Sequence, residues 1–258
     1  MEYESIKFAI REDVAILTLA RPEVMNALST RMRAEITHAV RAAGREARVV
    51  VITGQGRAFC SGQDLGDRAT IAEIDLERVL RDEYVPMLRA VVDCPVPTIA
   101  AVNGTAAGAG ANLALAADVV IAAESATFIQ AFTRIGLIPD AGGTYVLPRA
   151  MGSAKAMGAA LFAERITARQ ADDWGMIWEA VPDGAFADRW WARARHVASG
   201  PTAAYAALKD VMRQTWGNDL DAQLAAEAEG QGRCGATRDF KEGVVAFLDK
   251  RPAAFEGR

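Results

Sequence analysis

Short apolar runs that lead into glycine-punctuated turns constrain this chain more than any other feature. Val49-Val50-Val51-Ile52 leads toward Phe59-Cys60-Ser61-Gly62-Gln63-Asp64-Leu65, and Thr98-Ile99-Ala100-Ala101-Val102 leads into Asn103-Gly104-Thr105-Ala106-Ala107-Gly108-Ala109-Gly110-Ala111-Asn112. Runs of this kind read as strands buried on both faces. The second turn opens an alanine-rich helix, so its backbone N–H groups should face something electron-rich. Two such turns can aim two N–H groups at one oxygen, the layout of an oxyanion hole. A third turn, Ile138-Pro139-Asp140-Ala141-Gly142-Gly143-Thr144, carries a lone carboxylate.

Over the first 180 residues β-rich runs alternate with helical patterns, which points to a βα-repeating α/β architecture. Strands are expected at Val14–Leu19, Val49–Thr53, Thr98–Val102 and Asp118–Ala123. Ser29 and Thr30 are N-cap candidates for a helix that Gly44 should stop, and a polar helix is expected from about Ile71 to Val92. Beyond Pro182 the β signal fades. Phe186–Ser199, Thr202–Thr215, Leu220–Arg233 and Phe240–Leu248 have helical length and spacing, with Gly200-Pro201 as a boundary. Their surplus apolar positions suggest packing against other copies of the chain, with a helical lobe that covers itself as the alternative.

At 258 residues and 51% hydrophobic the chain can bury a large core. A formal net charge of −4 without a basic block gives no reason to expect nucleic acid or a membrane surface. The acidic start Met1-Glu2-Tyr3-Glu4 lacks signal-peptide regions, so a cytoplasmic protein is expected. The three cysteines, Cys60, Cys94 and Cys234, are scattered without metal-ligand spacing and read as free thiols. Only His38 and His196 could serve a histidine-based triad or zinc site, and each falls in a helical pattern. No metal is expected.

Gly108-Ala109-Gly110 is no dinucleotide fingerprint, because Leu113 stands where its third glycine belongs. Close packing of helix on strand is an alternative use of these glycines. Asp140 could be a turn or cap residue, or an acid or base whose proton affinity Ile135, Leu137, Ile138 and Ala141 would raise on burial. Asp64 could brace its loop. Glu164, Asp172, Asp173 and Asp183 read as solvated or capping charges.

These segments resemble the crotonase, or enoyl-CoA hydratase/isomerase, superfamily. The resemblance runs from Leu19-Ala20-Arg21-Pro22 and Met25-Asn26-Ala27-Leu28, through Gly56 to Leu65 and Ala101-Val102-Asn103-Gly104, to Gly136 to Thr144. It resumes at Lys241-Glu242-Gly243 and Phe247 to Arg251. It implies a spiral of repeated ββα units over residues 1–200, a helical trimerisation region over 201–258, and homotrimers or dimers of trimers. It also implies an acyl-CoA thioester as substrate, its carbonyl held by the amides of Gln63 and Ala109. Many relatives carry glycine where this chain has Ala109. Substrate-lining positions carried over are Ala58, Cys60, Asp64, Leu65, Gly108, Asn112, Phe132 and Pro139.

Hydratases of this family use two glutamates, at positions held here by Asn112 and Phe132, so water addition is not expected. Asp140 stands where several isomerases and a dehalogenase branch carry a functional aspartate. The dehalogenase reading wants a histidine, and neither His38 nor His196 falls in a suitable motif. Phe59 to Arg68, Ala106 to Ala111, Gly136 to Asp140 and Trp174 to Trp178 are most similar to the isomerases that convert ring-1,2-epoxyphenylacetyl-CoA to oxepin-CoA. The implied activity is therefore acyl-CoA isomerisation by Asp140, without a cofactor, since coenzyme A is part of the substrate. A delta(3),delta(2)-enoyl-CoA isomerase for aliphatic chains, and a catalytically silent acyl-CoA-binding protein, are the alternatives.

Overall fold

The computed structural model describes residues 2–64, 66 and 75–258. Leu65, Arg68 and the expected helix start at Ile71 lie outside the described residues. The strands are β1 (Ile6–Arg11), β2 (Val14–Leu19), β3 (Val49–Gly54), β4 (Ala58–Cys60), β5 (Thr98–Val102), β6 (Thr105–Ala107), β7 (Val119–Ala123), β8 (Thr127–Ile129), β9 (Arg165–Thr167) and β10 (Glu179–Val181). Among the described residues they form two sheets, a larger one ordered β1-β2-β3-β5-β7-β10 and a smaller one ordered β4-β6-β8-β9. In each repeat a long strand feeds the larger sheet, a three-residue strand feeds the smaller one, and a helix follows. That is the ββα spiral expected from the resemblance.

The larger sheet is parallel except for the β1–β2 hairpin. Val49 to Ile52 and Thr98 to Val102 are buried without alternation, as strands covered on both faces must be. The three-residue strands are too short to show a period of their own. For that reason the glycine turns, read from sequence as following the long strands, in fact follow β4 and β6. The run Thr105–Ala107 is strand rather than turn. A bulge at Phe59 sets Ala58 opposite Thr105 and Cys60 opposite Ala106.

Helix α1 (Thr30–Glu46) is capped by Ser29, whose side chain accepts from the Met32 N–H. It runs through Gly44 rather than stopping there. A Cβ on Gly44 would lie 2.8 Å from Pro95 Cδ, so glycine serves close packing. Helix α2 (Leu76–Val79) passes through a π-helical turn (Leu80–Tyr84) into α3 (Val85–Val92). Helices α4 (Ala109–Leu115), α5 (Gly143–Phe162), α6 (Ala168–Asp173) and α7 (Phe186–Ala198) complete the spiral.

Three helices end the chain: α8 (Thr202–Gln214), α9 (Leu220–Gly235) and α10 (Arg238–Leu248). Lys209 of α8, nearly buried, pairs with Asp118 at 2.7 Å and donates to the Cys94 and Val96 carbonyls at 2.8 Å each. Arg213 meets the same aspartate at 2.6 Å. These contacts seat α8 against the strand starts at Thr98 and Val119. Trp216, Leu220, Phe247 and Leu248 remain largely exposed. Among the described residues no helix is long and apolar enough to cross a membrane.

Candidate active site

The register of the small sheet assembles the centre of the site. Gln63 and Ala109 each lie three residues past a paired residue, Cys60 in β4 and Ala106 in β6. Their turns therefore leave adjacent strands in step. Gly62, at φ +97°, bends the first turn so closely against the second that a Cβ there would sit 2.9 Å from the Ala107 carbonyl and 3.5 Å from the Ala109 nitrogen. Gly108, at φ +51° and ψ −128°, makes the corresponding bend. Few side chains tolerate these conformations.

Two amides are left without acceptors among the described residues. Gln63 forms an isolated parallel bridge with Leu28. The Leu28 N–H donates to the Gly62 carbonyl at 2.8 Å, and the Asp64 N–H donates to the Leu28 carbonyl at 3.2 Å. Bonds on the flanking residues turn the Gln63 N–H away from Leu28. Ala109 is the first residue of α4, where an N–H has no intrahelical acceptor. A pair of free, fixed amides at adjacent strand ends is suited to holding an oxygen that gains negative charge.

Asp140 lies in the turn between Pro139, which is buried, and α5. Its carbonyl accepts from Asn112 Nδ2 at 2.8 Å and from the Gly143 N–H at 2.8 Å. Its carboxylate atom Oδ1 is buried and has no partner among the described residues. Burial pushes its pKa up to about 6. The sequence attributed such a shift to Ile135, Leu137, Ile138 and Ala141. Ile135 and Ile138 instead point outward, 61% and 76% exposed, and of the four only Ala141 is buried.

Asn112 and Phe132 both belong to this neighbourhood. Asn112 is 2% exposed, and its Oδ1 accepts from Gln130 Nε2 at 2.9 Å. Gln130 was not singled out from the sequence; an isolated polar residue between β8 and Phe132 carries no local signature of a buried amide pair. Gly143 makes room for Asn112, since a Cβ there would lie 2.4 Å from Nδ2. The Phe132 ring covers Gly108, its Cζ 3.7 Å from where a Cβ would project.

The remaining candidates sit around this centre. Asp64 braces its loop, accepting from Arg21 Nη1 at 2.6 Å and the Gly66 N–H at 3.1 Å. Burial alone would raise its pKa, but those bonds and the Arg21 charge hold it below the usual range. Ala58 and Cys60 lie buried in β4, and the Ala58 carbonyl already accepts from Asn26 Nδ2 at 2.9 Å. Burial lifts the Cys60 thiol to about 12, which leaves it protonated at neutral pH. His38 is exposed and shares a 2.8 Å hydrogen bond with Tyr3; His196 is exposed on α7. Asp172 and Asp183, read from the sequence as solvated or capping charges, instead accept from the main-chain N–H groups of Ala180 in β10 and Ser125 in the loop before β8.

The family profile described as enoyl-CoA hydratase/isomerase matches residues 9–258. The chain is 61% identical, over the full length of both, to a Rhodobacter capsulatus protein named "Probable enoyl-CoA hydratase". It is 44% identical to the 1,2-epoxyphenylacetyl-CoA isomerase of Escherichia coli K12, covering 99% of each chain. The crystal structure of enoyl-CoA hydratase from Bacillus anthracis superposes with a TM-score of 0.91 at 32% identity, covering 99% of this chain and 100% of that one. With its ββα spiral, its paired glycine turns and a match over nearly its whole length, the chain belongs to the enoyl-CoA hydratase/isomerase family.

Proposed function

We propose that this protein is an acyl-CoA isomerase that converts 2-(1,2-epoxy-1,2-dihydrophenyl)acetyl-CoA to oxepin-CoA. The observation that carries the reading is Asp140, part-buried, its Oδ1 enclosed without a partner among the described residues and its pKa raised to about 6, in a site where Asn112 and Phe132 stand at the positions of the hydratase glutamates. The thioester oxygen lies between the Gln63 and Ala109 amides. Asp140 removes a proton beside the thioester, and the electron pair moves into that oxygen as an enolate. The carbon–carbon bond shared by the epoxide and the six-membered ring breaks as its electrons shift through the ring double bonds, which gives the seven-membered oxepin. Collapse of the enolate then forms the double bond between the deprotonated carbon and the ring and pushes the adjacent ring double-bond pair onto a ring carbon, to which Asp140 returns the proton. Substrate and product are isomers, so nothing else is consumed. The name of the 44% identical isomerase supports this choice of substrate.

Gly108, Phe132 and Pro139 shape the acyl pocket in this reading, and Asp64 braces the turn that carries Gln63. The exposed apolar side chains of the last three helices favour a homotrimer or a dimer of trimers. Water addition is the second reading, favoured by the name of the 61% identical relative.

Incubation with a 3-enoyl-CoA in deuterated water, beside an Asp140→Asn control, tests the proposal. Double-bond migration with deuterium incorporation that disappears in the control is the expected result. Hydration of a 2-enoyl-CoA at a comparable rate, surviving the Asp140→Asn change, would overturn it. The ring epoxide, compared with aliphatic 3-enoyl-CoA, then separates the two isomerase specificities.

A further inference from the structure

Arg33 breaks the apolar face of α1. Met32, Ile36 and Val40 on that face are fully buried, and Arg33 itself is 4% exposed. Every polar contact of its guanidinium leads to a particular place. It forms an ion pair with Glu83 of the π-helical turn. It donates to Thr30 Oγ1 at 3.1 Å and, through Nη1, to the Leu28 carbonyl at 2.5 Å. It also lies over the Tyr84 ring, 4.6 Å from the centroid, with Nη1 3.4 Å from the hydroxyl.

Leu28 is the informative partner. Its carbonyl accepts both the Arg33 Nη1–H and the Asp64 N–H, and its N–H holds the Gly62 carbonyl. The segment that presents Gln63 therefore hangs on the two peptide groups that flank the Leu28 Cα, and Arg33 fixes the carbonyl oxygen of the second. Tyr84 extends the arrangement toward the carboxylate: burial raises the Tyr84 pKa, Arg33 opposes the rise, and the charge of Asp140 adds to it. One guanidinium thus touches both the Leu28 carbonyl that anchors the Gln63 turn and the Tyr84 ring.

Building on the two-donor reading above, we propose that Arg33, anchored by Glu83, is a positioning residue that sets the aim of the Gln63 N–H at the substrate's thioester oxygen. A merely structural Arg33 would pin the π-helical turn to α1 and leave the polarisation of a bound carbonyl unchanged. The two roles differ in a spectroscopic property.

The probe is 2,4-hexadienoyl-CoA, a conjugated thioester whose absorption moves to longer wavelength when donors pull electron density onto the carbonyl oxygen. Measurement in an Asp140→Asn background keeps the probe intact. The parent should bind with a red shift, and Arg33→Met in that background should bind with the shift lost or sharply reduced. In the active protein Arg33→Met should lower kcat by about 10²-fold with KM little changed, the cost of a displaced donor. Arg33→Met that binds the probe with the full shift overturns the proposal. A parent that binds without any shift overturns the two-donor reading, and the positioning role with it. If Arg33→Met does not fold, Glu83→Gln keeps the shape while loosening the anchor. It should reduce the shift part-way, and an unchanged shift in that variant overturns the proposal.

Discussion

Asn112 Nδ2 donates to the main-chain carbonyl of Asp140 at 2.8 Å, while Asp140 Oδ1 is left without a partner. The backbone of the aspartate is held and its carboxylate is free. The role proposed for Asp140 needs this division, because a hydrogen bond to the carboxylate would favour its charged form and lower its proton affinity.

The raised pKa has two linked consequences. Activity that needs the Asp140 carboxylate should fall as pH drops through about 6, and a kcat/KM profile will show that limb. Folding stability moves the opposite way. The folded pKa lies above the unfolded one, so this group favours folding at low pH and loses that contribution as pH rises through about 6. Asp140→Asn should therefore be more stable than the parent at pH 8 by about 1–2 kcal/mol, allowing for residual solvation, with the difference vanishing toward pH 4. Denaturant melts across that range check the sign.

Gly143→Ala drives a methyl group against Asn112, which two hydrogen bonds hold in place. Both bonds should break, at a cost of about 2 kcal/mol and a substantial loss of kcat. Once Asn112 is alanine the clash is gone. Gly143→Ala combined with Asn112→Ala should accordingly be no less stable than Asn112→Ala alone, a non-additivity that a double-mutant cycle reads directly.

Lys209→Met keeps the length of the side chain and removes its charge. Asp118 would retain Arg213 and Thr98, but the Cys94 and Val96 carbonyls would each lose a donor. A loss of about 3 kcal/mol is expected at fixed protein concentration, in equilibrium unfolding.

Thiol labelling should discriminate among the cysteines. Cys60 and Cys94 are buried with raised pKa values, whereas Cys234 is partly exposed. In native protein iodoacetamide should modify Cys234 alone, and the other two should react only after denaturation, as peptide mass spectrometry would show.

The long elements were legible because burial leaves a compositional trace. Val14–Leu19 and Thr98–Val102 are strands at the bounds read from the sequence, and Ser29 caps α1 as its side chain suggested. The small sheet left no such trace. Three residues such as Thr105–Ala107 show no alternation, and their pairing comes from partners 45 or more residues away in sequence or from a neighbouring repeat. Asp140 was visible as residue type and turn, but not the source of its partial burial, since Ile135 and Ile138 face outward. Arg33, Glu83 and Gln130 went unnoticed because each acts across the fold. A charged residue within an apolar helical stripe was the one available signal, and Arg33 carries it.

The bulge at Phe59 bears on how such a site can change over generations. Neighbouring amides along an extended chain point in opposite directions, so the extra residue in β4 decides which peptide between Cys60 and Asp64 faces the Ala109 amide. Substitutions in this stretch alter side chains and leave that parity alone. A one-residue deletion between Ala58 and Gln63 reverses it, presenting a carbonyl oxygen where an N–H had been. Gly62 apart, the stretch is therefore permissive to spelling and intolerant of changes in length, and a lineage that remodels the pocket beside it has to do so around a fixed count of residues.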